Sequence, residues 1–384
     1  MRFEFATATR ILFGPGRVAE LGSIVAGLGR RALLVRGRAE QRALPARTAL
    51  AAAGVEVAEF AVTGEPTVED VRRGCAAGRD SAVAVVVSCG GGSAIDAGKA
   101  IAALLGNGGD PLDYLEVVGA GLPLELPSLP FVAVPTTAGT GSEVTRNAVL
   151  ASPQHRVKAS LRSPHLLARA AIVDPDLLLG LPPRVTAVSG LDAFAQVLEP
   201  FVSARANPLV DALCREGLLR SARSLRRAFT GDDPEPVRVD LALASLFGGL
   251  ALANAGLGAV HGFAAPVGGM FDAPHGAACA AVLAAAVRVN ARALVERQPD
   301  GPALQRYREA AAIVTGRSGA AVGDLVAWIE AQVRALQVPG LGRWGARASD
   351  VPALVAKARD ASSMKGNPIV LSEAELAEIA TASL

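Results

Sequence analysis

Aromatic side chains are scarce in this 384-residue chain: Phe, Trp and Tyr together make up 4% of it, and only four histidines, four lysines and four cysteines occur. Each scarcity excludes something. A formal net charge of +2 is too small to be the electrostatic footprint of a nucleic-acid or anionic-membrane binder, so neither is expected as a partner. Cys75, Cys89, Cys214 and Cys279 are scattered with no CxxC pair, which reads as buried free thiols in a reducing compartment. The opening MRFEFATATR alternates and lacks the apolar stretch of a signal peptide. No run approaches about 18 uninterrupted apolar residues, so no membrane span is expected and the cytoplasm is the expected setting.

What is abundant is apolar. Hydrophobic residues make up 51% of the chain, enough for substantial cores, and the length suits about two domains. Residues 2–13 alternate and read as one or two strands, closed by the FGPG turn at 13–16. Helical and strand-like runs then alternate: helix 18–28, strand 32–35, helix 44–53, strand 55–62, helix 68–79, strand 82–88, helix 94–105 and strand 130–134. That alternation predicts a mainly parallel, doubly wound α/β sheet. Beyond residue 178 the texture changes to long Ala/Leu/Val/Arg-rich helical patterns, with Pro182 and Pro183 suited to a helix start. Two domains follow: residues 1–180, α/β, and residues 181–384, all helical. The last helix is predicted to start at Ser372, with Glu375 completing a capping box.

Two polar loops follow strands in the first domain. In SCGGGSAIDAGKA the strand ends at Cys89, Gly90, Gly91 and Gly92 permit close backbone approach, and Ser93 opens a helix whose free N–H groups attract a phosphate. Asp96 and Lys99 lie on that helix; a helix-packing polar pair is their plain alternative. In PTTAGTGSEVT, Thr136, Thr137 and Thr140 can hold ribose or adenine, and Ser142 the nicotinamide side. Two such loops at strand ends suit a dinucleotide in a crevice of a doubly wound sheet.

Half of the histidines fall in HGFAAPVGGMFDAPHG, residues 261–276, and SGLDAFAQVLE places Asp192 and Gln196 four apart on one helix face. His261, His275, Asp192 and Gln196 can hold a metal or perform acid/base work. Asp272 beside them can tune His275 or cap a turn. His155 and His165 are given no role, and Trp328 and Trp344 read as packing anchors.

Together GGGSAIDAGKA, PTTAGTGSE, AAIVDPDLLLGLPPRVTAVSGLDA and HGFAAPVGGMFDAPHG resemble the iron-containing alcohol dehydrogenase family, over nearly the whole chain. The resemblance implies an N-terminal NAD(P)-binding α/β domain, an all-helical catalytic domain, hydride transfer between nicotinamide and a small carbonyl or alcohol, and a homodimer or larger assembly. In metal-dependent members one Asp and three His hold Fe²⁺ or Zn²⁺; the matching positions here are Asp192, His261 and His275. Gln196 stands where the third ligand histidine is usual, and Ala265 replaces a further active-site histidine. The maleylacetate reductase branch departs similarly and is thought to work without metal, and GGMFDAPHG partly resembles it. Lys158 matches a lysine that meets cofactor or substrate in the family. Gly37 stands where NAD-preferring relatives often carry Asp, so Arg36 and Arg38 favour the 2′-phosphate of NADPH over NADH, unless both are solvated loop residues.

Three outcomes are open at this point. One is a metal-independent reductase, with His275 or His261 as general acid, Asp192 orienting it and the Gln196 amide stabilising the oxyanion. The second is a metal-dependent dehydrogenase built on Asp192, His261 and His275. The third is a non-redox binding or regulatory homologue, against which the two intact dinucleotide loops argue.

Overall fold

A computed structural model describes residues 2–155 and 157–384. The chain divides into two compact units: Ala6–Gly180, and Leu181–Leu384 together with the extreme N-terminal residues up to Phe5.

The Ala6–Gly180 unit is built on eight described strands: β1 (Ile11–Phe13), β2 (Arg31–Arg36), β3 (Glu56–Ala61), β4 (Val85–Gly90), β5 (Phe131–Pro135), β6 (Asn147–Ser152), β7 (Val157–Arg162) and β8 (Ala170–Val173). Six of them form a fully parallel sheet in the order β1-β8-β5-β4-β2-β3. Its helices are α1 (Leu21–Ala26), α2 (Leu44–Ala52), α3 (Val68–Asp80), α4 (Gly92–Asn107) and the single turn α5 (Pro111–Tyr114). The central strands are continuous apolar runs because both faces are covered. Val85 and Val87 face α1 and α2 in one core cluster with Leu21, Val25, Ala46 and Leu50. On the other face the Ser88 hydroxyl donates to the Ala94 carbonyl of α4 at 2.9 Å. Parallel register aligns Arg36 with Cys89 and Gly90 with Pro135, which brings the carboxyl ends of β2, β4 and β5 to one edge.

Several boundaries move from expectation. β4 begins at Val85 because Ala82 takes a left-handed backbone, φ 46°, and belongs to the turn after α3. Within residues 2–13 only Ile11–Phe13 joins the sheet. The four-residue β8 was not anticipated, yet it lies between β1 and β5. β6 and β7 pair as an antiparallel hairpin outside the main sheet. The buried Lys99 fastens that hairpin to α4, donating to the Thr145 hydroxyl at 2.8 Å and the Asn147 carbonyl at 2.9 Å.

The second unit contains no strand among its described residues. Its helices are α6 (Pro183–Val202), α7 (Pro208–Phe229), α8 (Glu235–Ala255), α9 (Ala259–Phe271), α10 (His275–Arg297), α11 (Pro302–Thr315), α12 (Val322–Ala335), α13 (Val351–Asp360) and α14 (Glu373–Ala382). α6 carries proline in its first turn, and α14 opens with the Ser372–Glu375 capping box, as expected. Trp328 packs its ring 5.1 Å from that of Phe194 on α6. By length and composition alone, α8 and α10 are apolar enough to cross a membrane. Both are mostly buried in the structure, as core helices of a large bundle are.

Candidate active site

Helix geometry assembles the donor groups of the helical unit. Asp192, Gln196 and Glu199 follow the i, i+4, i+7 spacing of α6, one inward face, and are 1%, 2% and 7% exposed. His261 sits in the first turn of α9, and His275 is the first residue of α10. Close approach between α10 and α6 requires glycine at 276, since a Cβ there would lie 2.9 Å from the Val188 carbonyl oxygen. The two imidazole centroids are 5.4 Å apart. Nε2 of His261 lies 3.2 Å, and Nε2 of His275 3.8 Å, from the same Asp192 Oδ1.

Glu199, which was not singled out from sequence, orients this arrangement. Its Oε2 lies 2.6 Å from Nδ1 of His261, and its Oε1 accepts the Val260 N–H at 2.7 Å. Asn367 Oδ1 accepts the neighbouring Ala259 N–H at 3.0 Å and bonds Asn290. Two distant side chains thereby satisfy two of the free donors at the N-terminus of α9. The i, i+7 spacing from Asp192 was the signal in the sequence.

Cys279 was also missed as a site residue. It is fully buried, one helical turn beyond His275, with Sγ 3.6 Å from His275 Nε2. Ligand atoms of Asp192, His261, His275 and Cys279 all lie within 4.8 Å of one another. The i, i+4 spacing of His275 and Cys279 was legible in principle, but only once a helix was placed to start at residue 275.

Charge in the cluster is balanced by proximity. Burial pushes the Asp192 carboxyl up, but His275, His261 and a hydrogen bond from Gln196 outweigh it and hold the pKa below the usual carboxylate value. Burial likewise opposes protonation of His261, yet Cys279, Glu199 and Asp192 keep its pKa well above the ordinary histidine value. His275 keeps 39% of its side chain exposed. Desolvation lowers its pKa, Cys279 and Asp192 raise it, and the balance is about 9. The acceptors that hold both imidazole values up are ones a divalent cation would satisfy as well. The donor set of one carboxylate, two imidazoles and a thiol fits such an ion. Gln196 spends an amide N–H on Asp192 and so helps to position that carboxylate. Asp272 is the left-handed cap of α9 (φ 53°), the turn alternative foreseen for it.

In the Ala6–Gly180 unit the two polar loops meet. Gly91 caps α4, and the Thr136 N–H donates to the Gly90 carbonyl at 2.9 Å. A Cβ on Gly90 would lie 3.2 Å from the Gly37 nitrogen, one on Gly91 3.1 Å from Thr137 Oγ1, and one on Gly92 2.7 Å from Thr140 Oγ1. Gly37, the glycine triplet, Thr137 and Thr140 thus line one edge, with Ser93 in the first turn of α4 and Ser142 buried just beyond. Asp96 instead accepts the Val149 N–H at 3.0 Å and holds the hairpin, its plainer alternative. Lys158 is mostly buried on β7 and pairs with Glu65. Arg36 donates to Glu59 at 2.9 Å, leaving Arg38 as the exposed cation of that loop. His155 bonds Ser152 at 2.7 Å.

Residues 8–175 match the family described as iron-containing alcohol dehydrogenase, and residues 186–384 match its C-terminal domain. The chain belongs to the iron-containing alcohol dehydrogenase family. Within it, the long-chain-alcohol dehydrogenase 1 of Geobacillus thermodenitrificans is 40% identical over 222 residues, 58% of this chain and 55% of that protein, so the match spans about half of that relative's length. The crystal structure of a 1,3-propanediol oxidoreductase superposes with a TM-score of 0.92 at 32% identity, covering 100% of both chains. A sulfoacetaldehyde reductase from Bifidobacterium kashiwanohense, solved with NAD+, superposes with a TM-score of 0.87 at 26% identity, covering 100% of this chain and 99% of the other.

Proposed function

We propose that this chain is a nicotinamide-dependent oxidoreductase interconverting a small alcohol and its carbonyl compound, with a divalent metal held by Asp192, His261 and His275. The observation that carries the proposal is the convergence of their ligand atoms with that of Cys279, all within 4.8 Å of one another. Support for the nicotinamide comes from the glycine and threonine edge, from family membership and from the NAD+ complex of the sulfoacetaldehyde reductase.

A bound Fe²⁺ or Zn²⁺ supplies Lewis acidity, polarising a carbonyl oxygen toward hydride attack. The chain's own groups prepare for this. Glu199 fixes the His261 ring and turns Nε2 toward Asp192. Gln196 holds the Asp192 carboxylate from the side. The N-terminus of α4, capped by Gly91, offers its free N–H groups to a pyrophosphate. Arg38 is assigned to the adenosine phosphate, which favours NADPH.

A metal-free reading is favoured by one observation: His275 is partly exposed and, with a pKa of about 9, carries a proton at neutral pH that a forming alkoxide can take. Loss of reduced-nicotinamide fluorescence with short aldehydes and ketones tests the activity. Asp192→Asn and His261→Ala should each lower turnover by about 10² or more with helicity unchanged. A chain that binds no nicotinamide and turns over no carbonyl contradicts the proposal.

A further inference from the structure

We propose that Cys279 is a metal ligand of this enzyme, its thiolate joining Asp192, His261 and His275, and that the centre therefore favours zinc over iron. The inference rests on the metal-dependent reading above and goes beyond it, because the matching positions offer only one carboxylate and two imidazoles.

Distances support the assignment. A tetrahedral zinc with bonds of about 2.0–2.3 Å has donor–donor edges of about 3.3–3.8 Å. The separations found are 3.2 Å from His261 Nε2 to Asp192 Oδ1, 3.8 Å from His275 Nε2 to the same oxygen, and 3.6 Å from His275 Nε2 to Cys279 Sγ. Those three edges are close to the tetrahedral values without rearrangement. Cys279 and His275 come from consecutive turns of α10, so one rigid helix end presents both donors. The thiol is completely buried, and Cys75, Cys89 and Cys214 are free thiols too, so no disulfide claims it.

The chemistry separates this donor set from one of carboxylate and imidazoles alone. Thiolate is soft, and it shifts preference toward zinc and away from harder ions. Coordination deprotonates the thiol, and the proton leaves to solvent. With Asp192, His261, His275 and Cys279 all holding the ion, a substrate would have to enter as an additional ligand, an expansion zinc tolerates.

Cobalt(II) added to the chelator-stripped full-length protein tests the proposal, because it reports its donors by absorption independently of turnover. The wild type should show visible ligand-field bands and an intense near-ultraviolet thiolate-to-cobalt band. Cys279→Ser, with Cys279→Ala as a second variant, should keep the ligand-field bands and lose the near-ultraviolet one, while Cys214→Ser keeps both. Competition between zinc and iron(II) should show zinc affinity falling in Cys279→Ser by at least the roughly tenfold to hundredfold of an outer-shell loss. Ligand-field bands with no thiolate band in the wild type, or a thiolate band that survives in both Cys279 variants, overturn the assignment and leave the metal reading standing. No cobalt bound by the wild type overturns both.

Discussion

Glu199 grips His261 through a 2.6 Å contact between Oε2 and Nδ1, and with its other oxygen accepts the Val260 N–H at 2.7 Å. One carboxylate therefore caps α9 and orients the ring that α9 carries. Gln cannot do both: its oxygen can serve Val260, but its amide then donates to Nδ1 and forces the proton onto Nε2. Glu199→Gln should fold and lose metal affinity by about tenfold to hundredfold, as outer-shell changes do. Zinc titration followed by a thermal melt checks this; unchanged affinity would remove Glu199 from the account.

Gly276 sets how closely α10 approaches α6. Its added Cβ would lie 2.9 Å from a backbone oxygen, which cannot rotate away as a side chain can. Gly276→Ala should destabilise the protein by about 1–3 kcal/mol. It should also move His275 off Asp192, where a displacement of about 1 Å can lower turnover by about 10². Denaturant melts and steady-state rates measured together test both effects, and normal kinetics in the variant would show that the contact relaxes harmlessly.

Cofactor choice should depend on Arg38 and not on Arg36, whose guanidinium is bound to Glu59. Arg38→Ala should lower the preference for NADPH over NADH about tenfold, the worth of one charged hydrogen bond. Arg36→Ala should leave the ratio alone. The two kcat/KM ratios decide it; equal ratios in wild type and Arg38→Ala would mean that no 2′-phosphate is read there.

Glu143 and Lys99 predict a dip in stability near neutral pH. Burial pushes the Glu143 carboxyl up to about 7, against the pull of Lys99, and burial pushes Lys99 down to about 8, against Asp96 and Glu143. Between the unfolded carboxyl value of 4.5 and about 7, the folded state holds a proton the unfolded chain has lost, so stability falls as pH rises. Between about 8 and the unfolded lysine value of 10.5, the unfolded chain holds the extra proton, so stability rises with pH. Glu143→Gln should flatten the acidic limb. Melting temperatures at pH 5 and pH 7.5 that differ as much in the variant as in the wild type would contradict this.

The sequence made the parallel sheet and the helical half legible because strand and helix periods alternate cleanly up to residue 178 and then do not. β8 escaped because Ala170–Val173 is four residues long, bounded by Arg169 and Asp174, and its strand character comes from neighbours β1 and β5. Asp192, His261 and His275 were legible as rare polar residues in apolar surroundings, and the structure brings them together. Glu199 and Cys279 were not, because each gains meaning only from where its helix begins. Glu199 sits at the far end of the α6 face bearing Asp192, and Cys279 reaches the cluster because α10 starts at His275. The partner of Arg36 was not legible either: Glu59 lies on the neighbouring strand β3 and is remote in sequence.

The central claim is that a metal completes this site, and metal content measured beside turnover on one purified sample tests it most directly. The account predicts about one zinc or iron per chain, loss of carbonyl reduction when a chelator removes it, and recovery when the ion is returned. Full turnover by protein shown by elemental analysis to hold no metal would contradict it and leave His275 as the acid.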